Sequence, residues 1–240
     1  MYQSAQRKGA EQYKMHSSLG ALVFVTVMAL SVLGKDTHRN CAEWARMGEC
    51  ENNPDYMLAN CDDTCKNHAE EALRNDEDIK DITSFFDLEA NDIDGIVVHF
   101  AEFKGKVTVI VNVASYCGYT ESHYNGLVAL YNELKDTGVV EIIAFPCNQF
   151  GAQEPEECPT IKRFAEKKGV EFRMMDKIDV NGPRASKVYK YLKRESIIST
   201  ITWNFAAYFV VGPEGNVQGF TGVEPHELKG TIGELIDKEL

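Results

Sequence analysis

Cys117 is the residue whose setting in this sequence best suits covalent chemistry. It follows residues 106–114 (KVTVIVNVA), a β-branched and nearly uninterrupted apolar run that predicts a strand buried on both faces. Residues 120–135 predict a helix. The turn between them places the Cys117 thiol just before a helix N-terminus, where unpaired amides and the positive end of the dipole favour a thiolate. Cys117 is therefore a candidate nucleophile, although a free cysteine is also commonly a small packed hydrophobe.

Two distant segments supply neutral hydrogen-bond donors of the kind that such a thiolate would use. Gln153 lies in residues 145–155 (FPCNQFGAQEP), and Trp203 and Asn204 open the short segment WNF. Their amide and indole N–H groups carry no charge at neutral pH. A thiolate that displaces hydroxide or alkoxide from an O–O bond becomes a sulfenic acid, and the departing oxygen needs a donor. Donors aimed at the sulfur also stabilise its anionic form.

These segments, with NVASYCGYT at residues 112–120, resemble the glutathione peroxidase family in its cysteine-containing form. The frame around them resembles that family from about residue 84 to the C-terminus. The resemblance implies that Cys117 attacks the peroxide and that Gln153, Trp203 and Asn204 complete a catalytic tetrad.

The same resemblance implies the reaction and its reactants. The enzyme would be a peroxidase acting in the response to oxidative stress, reducing hydrogen peroxide and organic or lipid hydroperoxides through a cysteine sulfenic acid. Its reductant would be glutathione or a protein dithiol of the thioredoxin or protein-disulfide-isomerase type. No cofactor is expected. No metal is expected either, because the six histidines show no metal-ligand spacing.

The order of predicted elements matches a thioredoxin-like α/β fold with helices on both faces of one sheet. The predicted strands are residues 95–100, 106–114, 139–145, 171–180, 208–212 and 216–220, and the predicted helices are residues 120–135, 159–168, 186–195 and 224–240. Residues 213–215 (PEG) indicate a hairpin turn. Open α/β sheets of this kind collect their ligand sites at one edge, where strands give way to helices.

Four cysteines precede this domain: Cys41, Cys50, Cys61 and Cys65 lie within 25 residues. An even number of close cysteines behind a secretory signal predicts a disulfide framework, whereas spacings without a CxxC pair make a zinc site a poor alternative. The stretch resembles the ShK-toxin-like (ShKT) module, with the first and sixth of its usual six cysteines missing. The resemblance implies bridges between Cys41 and Cys61 and between Cys50 and Cys65.

The N-terminus carries an uncharged apolar run at residues 19–33 (LGALVFVTVMALSVL). Its length fits a secretory h-region better than the roughly 20 residues of a bilayer span. We expect residues 1–34 to be a cleaved signal peptide, with a start at Met15 or retention as a signal anchor as alternatives. The expected location is the secretory pathway, secreted or in the ER lumen. Residues 237–240 (DKEL) share only their last two residues with ER-retrieval tails.

The expected organisation is therefore a leader, an ShKT-like module of residues 36–68, an acidic linker or frayed helix of residues 69–81, and a thioredoxin-like domain of residues 82–240. The 240 residues carry a formal net charge of −12 and a pI near 5.0. Such an acidic chain makes nucleic acid and anionic membrane surfaces poor electrostatic partners.

Two cysteines of the larger domain have open roles. Family members that use a thioredoxin-type reductant carry a resolving cysteine in the helix after the Gln-Glu-Pro motif, where this chain has Glu166. Cys158 is the nearest substitute and a possible resolving thiol, because it precedes Pro159 at a predicted helix start. The alternative is direct attack on the sulfenic acid by an external thiol. Cys147 is expected to be a packed structural thiol.

Other positions depart from the family pattern. Ala206, Ala207 and Tyr208 stand where Thr-Lys-Phe usually follows WNF, and Gly219 stands where a basic residue is expected. Basic groups near the cleft attract the carboxylates of glutathione, so their absence weakens the case for glutathione as reductant. The connection between residues 195 and 203 lacks the insertion that tetrameric members use for assembly, which favours a monomer.

Two other hypotheses of function are alternatives to a peroxidase. In a redox relay, oxidised Cys117 would pass a disulfide to a partner protein, and turnover would require a protein dithiol. In a non-enzymatic secreted protein, the ShKT-like module would carry a binding function and no peroxide would be consumed.

Overall fold

A computed structural model describes residues 36–46 and 49–237 of the chain, which belong to one compact unit. Within these ranges no helix combines the length and the apolar character needed to cross a bilayer. The predicted leader and the last three residues of the DKEL tail lie outside the described residues.

The strands are β1 (Glu89–Asn91), β2 (Val97–His99), β3 (Val107–Val113), β4 (Val140–Pro146), β5 (Arg173–Met174), β6 (Ala207–Val211) and β7 (Val217–Thr221). The helices are α1 (Cys41–Arg46), α2 (Glu49–Asn52), α3 (Pro54–Asn60), α4 (Asp62–Asp78), α5 (Thr120–Leu134), α6 (Cys158–Lys167), α7 (Lys187–Arg194) and α8 (Lys229–Asp237). Single 3₁₀ turns at Phe85–Asp87, Phe100–Phe103, Lys135–Thr137 and Pro225–Leu228 join several of them.

The central sheet has five strands in the order β5-β4-β3-β6-β7. Strands β3, β4 and β5 run parallel, whereas β6 and β7 pair antiparallel. Every residue of β3 is buried, because its side chains alternate between two cores. Val109 and Val111 join the core that includes residues of α5, α6 and α8, while Ile110 joins the core that includes α7. The thioredoxin-like arrangement predicted from the sequence is confirmed.

The hairpin at the end of the sheet forms where the PEG turn predicts it. Strands β6 and β7 pair from Ala207 with Thr221 to Val211 with Val217. Gly215 has a φ of +94°, a conformation that glycine adopts without steric cost, and its N–H donates to the Gly212 carbonyl.

Two predicted strands differ in the structure. The strand expected over residues 171–180 is reduced to β5, because only Arg173 and Met174 pair with β4 at this sheet edge. The strand expected over residues 95–100 is shortened to β2, which pairs with β1 in a separate two-stranded sheet rather than in the central one. An aspartate makes that hairpin: Asp92 Oδ1 accepts from the backbone N–H of residues 94 and 96.

The N-terminal module is a set of short helices around two disulfides. Cys41 bonds to Cys61 and Cys50 bonds to Cys65, which confirms the pairing implied by the ShKT resemblance. The module's buried core consists of Cys41, Ala45, Met57, Cys61 and Cys65. Since most of this core is cystine, covalent closure takes the place of a large apolar interior.

Helix α4 runs from Asp62 to Asp78, so residues 69–78 of the predicted linker are helical. Its end is attached to α7 of the α/β domain. Lys190 Nζ donates to the Asp78 carboxylate and to the Pro183 carbonyl. Ile79 is buried in the α/β core, and its carbonyl accepts from Arg194 Nη1 at 2.9 Å.

Candidate functional site

The turn between β3 and α5 holds Cys117 in a fixed position. Thr120 Oγ1 accepts from the Cys117 backbone N–H at 3.1 Å and donates to the Ala114 carbonyl at 2.7 Å. The Tyr119 backbone N–H donates to the Cys117 sulfur at 3.5 Å. The Cys117 side chain is 8% exposed. The sequence predicts this position just before the N-terminus of α5, and the sulfur there accepts from a backbone donor.

Gln153 reaches the same turn from the loop after β4. Its carbonyl accepts from the Tyr116 backbone N–H at 3.0 Å, which ties the loop to the residue before Cys117. The preceding residue, Ala152, has a φ of +51°, in the left-handed region that non-glycine residues rarely occupy. Such backbone conformations cost of order 1–3 kcal/mol and cluster at functional sites.

Asn204 approaches Gln153 from the segment before β6. Its Nδ2 donates to Gln153 Oε1 at 3.5 Å, and its own Oδ1 accepts from Asn112 Nδ2 at 3.0 Å. The Asn204 side chain is fully buried. The next residue, Phe205, is the other described non-glycine residue with a positive φ, at +64°. Left-handed backbone therefore flanks both amide side chains of the predicted site.

Trp203 lies at the rim of this arrangement with 37% of its surface exposed. Its ring is tilted against Phe150 with centroids 5.8 Å apart, and a side chain at Gly151 would come within 3.6 Å of it. The indole N–H is thus carried on an exposed ring beside the Gln153 loop rather than in the core.

The structure brings the four predicted site residues to one edge of the sheet. Gln153 and Asn204 are in direct contact, the Gln153 backbone holds the Cys117 turn, and Trp203 precedes Asn204 beside the Gln153 loop. A cysteine, two amides and an indole at this edge supply a nucleophile and uncharged donors, which is what reduction of an O–O bond requires.

Asn112 is a component that the sequence analysis did not single out. It is a fully buried β3 residue whose Nδ2 bonds both Asn204 Oδ1 and, at 3.3 Å, the Trp203 carbonyl. Its own carbonyl accepts from the Phe205 N–H at 2.9 Å. Because Asn112 occupies Asn204 Oδ1, the Asn204 N–H₂ group is turned toward Gln153. An asparagine inside an otherwise apolar strand was the available signal.

Glu154, next to Gln153, is a second buried polar group whose role no sequence motif indicated. It is fully buried and accepts from Ser115 Oγ at 3.1 Å, while its other carboxyl oxygen has no partner among the described side-chain and backbone atoms. Burial raises the pKa of the Glu154 carboxyl to about 6, although the hydrogen bond from Ser115 opposes that rise.

The two other free cysteines have different surroundings. Cys147 is fully buried at the end of β4, and burial raises the pKa of its thiol to about 11. Cys158 is half-buried at the first position of α6, and its thiol donates to Asp176 Oδ1 at 3.0 Å. Burial, followed by that hydrogen bond, raises the pKa of the Cys158 thiol. The helix start is where the sequence predicts it, but the neighbouring carboxylate opposes a thiolate there.

Steric crowding explains why a glycine and not a basic residue occupies position 219. A side chain there would come within 2.7 Å of Ile198 Cδ1 and 3.3 Å of Ser196 Cβ. The short connection between α7 and Trp203 therefore packs against β7 at the position where a basic residue is expected. Among the described residues no group of three or more histidine, cysteine, aspartate or glutamate side chains could hold a metal ion.

A five-stranded sheet with helices on both faces and a cysteine at the β3–α5 turn defines a thiol oxidoreductase of the thioredoxin-like fold. Comparison with known proteins sharpens this class. A family model described as "Glutathione peroxidase" matches residues 85–193, and one described as "ShK domain-like" matches residues 34–67.

Several relatives are similar over the α/β domain. Glutathione peroxidase-like peroxiredoxin 2 of Saccharomyces cerevisiae is 44% identical over 162 residues, which are 65% of this chain and 99% of the yeast protein. The putative chloroplastic glutathione peroxidase 7 of Arabidopsis thaliana is 48% identical over 56% of this chain and 58% of its own length. A probable phospholipid hydroperoxide glutathione peroxidase of Citrus sinensis is 47% identical over 56% of this chain and 82% of its own.

Solved structures agree. The chain in the crystal structure of Trgpx in its apo form is 34% identical in sequence to this chain and superposes on it with a TM-score of 0.54. The corresponding values for the crystal structure of T. cruzi GPX1 are 30% and 0.53. Each comparison covers 65% of this chain and 97% of the solved chain. The chain therefore belongs to the glutathione peroxidase family and is a thiol-dependent peroxidase, with an ShK-like disulfide module at its N-terminus.

Proposed function

We propose that Cys117 is the peroxidatic nucleophile and that Gln153, Trp203 and Asn204 activate it and assist the leaving oxygen. The observation that carries the proposal is the direct contact between Asn204 and Gln153, because the backbone of Gln153 is itself hydrogen-bonded to the Cys117 turn. Three chain segments far apart in sequence meet there, and each brings a residue type that the chemistry needs.

The oxidation step transfers one oxygen from the hydroperoxide to sulfur. The Cys117 thiolate attacks the terminal peroxide oxygen, the O–O bond breaks, and the sulfur becomes a sulfenic acid. The departing alkoxide or hydroxide takes up a proton to leave as alcohol or water. Uncharged N–H donors stabilise both the thiolate and the departing oxygen without introducing a competing charge.

The substrate class that we propose includes organic and lipid hydroperoxides as well as hydrogen peroxide. Tyr116 and Tyr119 flank Cys117 and are 61% and 53% exposed, and Trp203 adds a third exposed ring. These aromatic surfaces suit an apolar substrate chain better than a charged one. The probable phospholipid hydroperoxide glutathione peroxidase of Citrus sinensis supports the same class.

For the reductive half-reaction we propose direct attack of an external thiol on the Cys117 sulfenic acid. The hydrogen bond from Cys158 to Asp176 disfavours the thiolate that an internal resolving step would require. Cys158 as resolving residue is the alternative route. It predicts an intramolecular disulfide between Cys117 and Cys158 after one equivalent of peroxide. Mass spectrometry would then show the loss of two hydrogens and a cross-linked pair of peptides.

We also propose that the protein works as a monomer in the secretory pathway, after removal of residues 1–34. The two disulfides of the module support an oxidising compartment, and the short connection before Trp203 supports the monomer. The proposed modules remain residues 36–68 and 82–240, joined by residues 69–81. Intact mass of protein secreted from cells and sedimentation in solution test both statements.

The test of the function is peroxide consumption by wild type, Cys117→Ser and Cys158→Ser with glutathione, a small dithiol and a thioredoxin-type protein. Wild type and Cys158→Ser should turn over, and Cys117→Ser should not, while all three keep the same thermal unfolding. Wild-type rates in Cys117→Ser would refute the assignment. Turnover restricted to the protein dithiol would identify that dithiol as the reductant and would also fit a redox relay. No turnover in any protein would support a binding function.

A further inference from the structure

A cavity of about 400 Å³ opens beside Trp203 on the α5 side of the sheet edge. The rings of Tyr119, Trp203 and Phe205 form its walls, and its ionisable lining groups are Tyr119, His123 and Glu224. None of these side chains except Trp203 belongs to the proposed tetrad. Among the described residues that line the cavity, none is a lysine or arginine of the kind that recognises the carboxylates of glutathione.

The cavity adjoins the Cys117 sulfur through one residue. Tyr119 donates its backbone N–H to that sulfur at 3.5 Å, and its ring packs edge-on against the His123 ring with centroids 5.6 Å apart. His123 lies in the first turn of α5, and its backbone N–H donates to the Tyr119 carbonyl. Tyr119 therefore contributes both a wall of the cavity and a hydrogen bond to the Cys117 sulfur.

The His123 ring lies between a hydrogen-bond partner from β6 and a carboxylate at ion-pair distance. Its Nδ1 lies 2.6 Å from Tyr208 Oη of β6, and its Nε2 lies 3.6 Å from the carboxylate of Glu224, which precedes the 3₁₀ turn at Pro225–Leu228. Phe205 and Tyr119 pack against the ring. Tyr208, Glu224 and Tyr119 are thus the titratable groups that face His123.

The protonation states of His123 and Tyr208 follow from their surroundings. Burial lowers the pKa of His123, and the Glu224 charge partly opposes that effect. Burial raises the pKa of the Tyr208 hydroxyl well above its usual value, so the phenol stays neutral. In the tautomer in which neutral His123 donates Nδ1–H to Tyr208 Oη, the lone pair lies on Nε2, the nitrogen nearest Glu224.

We propose that this cavity binds the reducing thiol and that His123 accepts its proton as the thiol attacks the Cys117 sulfenic acid. The inference rests on the proposed function, because it needs a sulfenic acid at Cys117. It adds the site, the base and the charge preference of the reductant.

The step balances without any further reactant. The S–H bond of the thiol breaks as its proton moves to His123 Nε2, and the sulfur attacks the Cys117 sulfur. The S–O bond of the sulfenic acid then breaks, and the departing hydroxide takes the proton from His123 to leave as water. The product is a mixed disulfide, which a second thiol reduces to regenerate the Cys117 thiol. Glu224, within ion-pair distance of Nε2, stabilises the transient imidazolium.

The same carboxylate sets the charge preference. Glu224 is the charged lining group of the cavity within the described parts of the chain. A thiol that carries a carboxylate next to its sulfur would be repelled, whereas one that carries an amine would be attracted. We therefore expect cationic and neutral thiols to reduce oxidised Cys117 faster than anionic ones of the same size.

The experiment separates the two half-reactions. One equivalent of hydrogen peroxide oxidises Cys117 at a measured rate, and the sulfenic acid is then mixed with cysteamine, 2-mercaptoethanol or 3-mercaptopropionate. The proteins compared are wild type, His123→Asn, Glu224→Gln and, as a control for a surface charge, Glu214→Gln. Asparagine keeps a hydrogen-bonding group toward Tyr208 but provides no base.

In His123→Asn the oxidation rate should stay within about 2-fold, while reduction by 2-mercaptoethanol at neutral pH should slow by at least about 100-fold, the lower end for losing a general base. The pH profile should also change. Wild type should level off above the pKa of His123, whereas the variant should rise about tenfold per pH unit until the thiol itself ionises. Glu224→Gln should remove the preference for cysteamine over 3-mercaptopropionate, and Glu214→Gln should not.

Normal oxidation with unchanged reduction rates and pH profile in His123→Asn would overturn the inference and leave the proposed function standing. Absence of any oxidation of Cys117 in wild type would overturn both, whereas a disulfide between Cys117 and Cys158 in place of the sulfenic acid would overturn the inference alone. If His123→Asn does not fold, the thiol preference of Glu224→Gln decides: a preference equal to that of wild type overturns the inference.

Discussion

The N-terminal module and the α/β domain keep their cysteines in opposite states. In the module four cysteines are paired in two disulfides around a five-residue core. In the α/β domain three cysteines are free within two large apolar cores. The difference shows how one chain can combine disulfide bonds with a reactive thiol. The module depends on disulfides for its stability, and the α/β domain depends on its apolar cores and keeps its cysteines free.

The largest expected effect is on the module. Replacing Cys41, Cys50, Cys61 and Cys65 together by alanine removes two bridges worth roughly 3 kcal/mol each in the chain-entropy model. The module should lose its protected amide hydrogens in exchange experiments, while peroxide turnover by the α/β domain should persist. Loss of amide protection in the module together with loss of peroxide turnover would show that the α/β domain depends on the folded module for its own stability.

An effect of intermediate size is expected in the catalytic loop. Gln153→Ala should slow oxidation of Cys117 by roughly 10- to 1,000-fold, the range for losing one transition-state donor, and leave the module's hydrogen exchange unchanged. Stopped-flow oxidation measures the rate, and Gln218→Ala, an exposed amide on β7, is the matched control. An equal slowing in both variants would assign the effect to something other than the site.

The buried Glu154 should make the stability of the α/β domain depend on pH. Its pKa is raised from 4.5 to about 6 in the folded state, so folding favours the protonated acid. Stability from this group is therefore greatest below the unfolded pKa and declines as pH rises through the folded one, by about 2 kcal/mol. Glu154→Gln removes this dependence.

The measurement is the unfolding free energy of wild type and Glu154→Gln in urea at about pH 4 and about pH 8. The unfolding free energy of wild type minus that of Glu154→Gln should fall by about 2 kcal/mol from the lower pH to the higher. A difference that stays constant with pH would contradict the burial-driven shift.

The smallest effect concerns the junction of the two regions. Asp78→Asn replaces the ion pair with the buried Lys190 by a neutral hydrogen-bond acceptor. Asp78 is partly exposed, so the cost should be about 1 kcal/mol. Calorimetry should show a small fall in the unfolding temperature of the α/β domain with normal peroxide turnover. A fall as large as that caused by removing the disulfides would mean that the junction is part of the core.

The sequence predicted those parts of the molecule whose signals are local. The apolar run of β3, the PEG hairpin and the helix start before Pro159 all lie where they were expected. The contact between Gln153 and Asn204 was implied only by the family resemblance, since nothing local in either segment indicates that they meet.

The errors have physical reasons. The strand predicted over residues 171–180 has the right composition, but an edge position lets only two of its residues pair. The importance of Asn112 and His123 depends on partners far away in sequence, Asn204 and Tyr208. Periodicity and propensity carry no information about such contacts.

The attachment of α4 at both ends has a consequence for anything that the module binds. Cys65 fixes one part of this 17-residue helix to the module, and Asp78 and Ile79 fix its end to the α/β domain. A helix of this length spans about 25 Å, without the wide range of end-to-end distances of a flexible linker. For a ligand held on the module, the effective concentration at Cys117 would therefore be set by geometry: high if the ligand's reactive group reaches the site, and close to zero if it falls short.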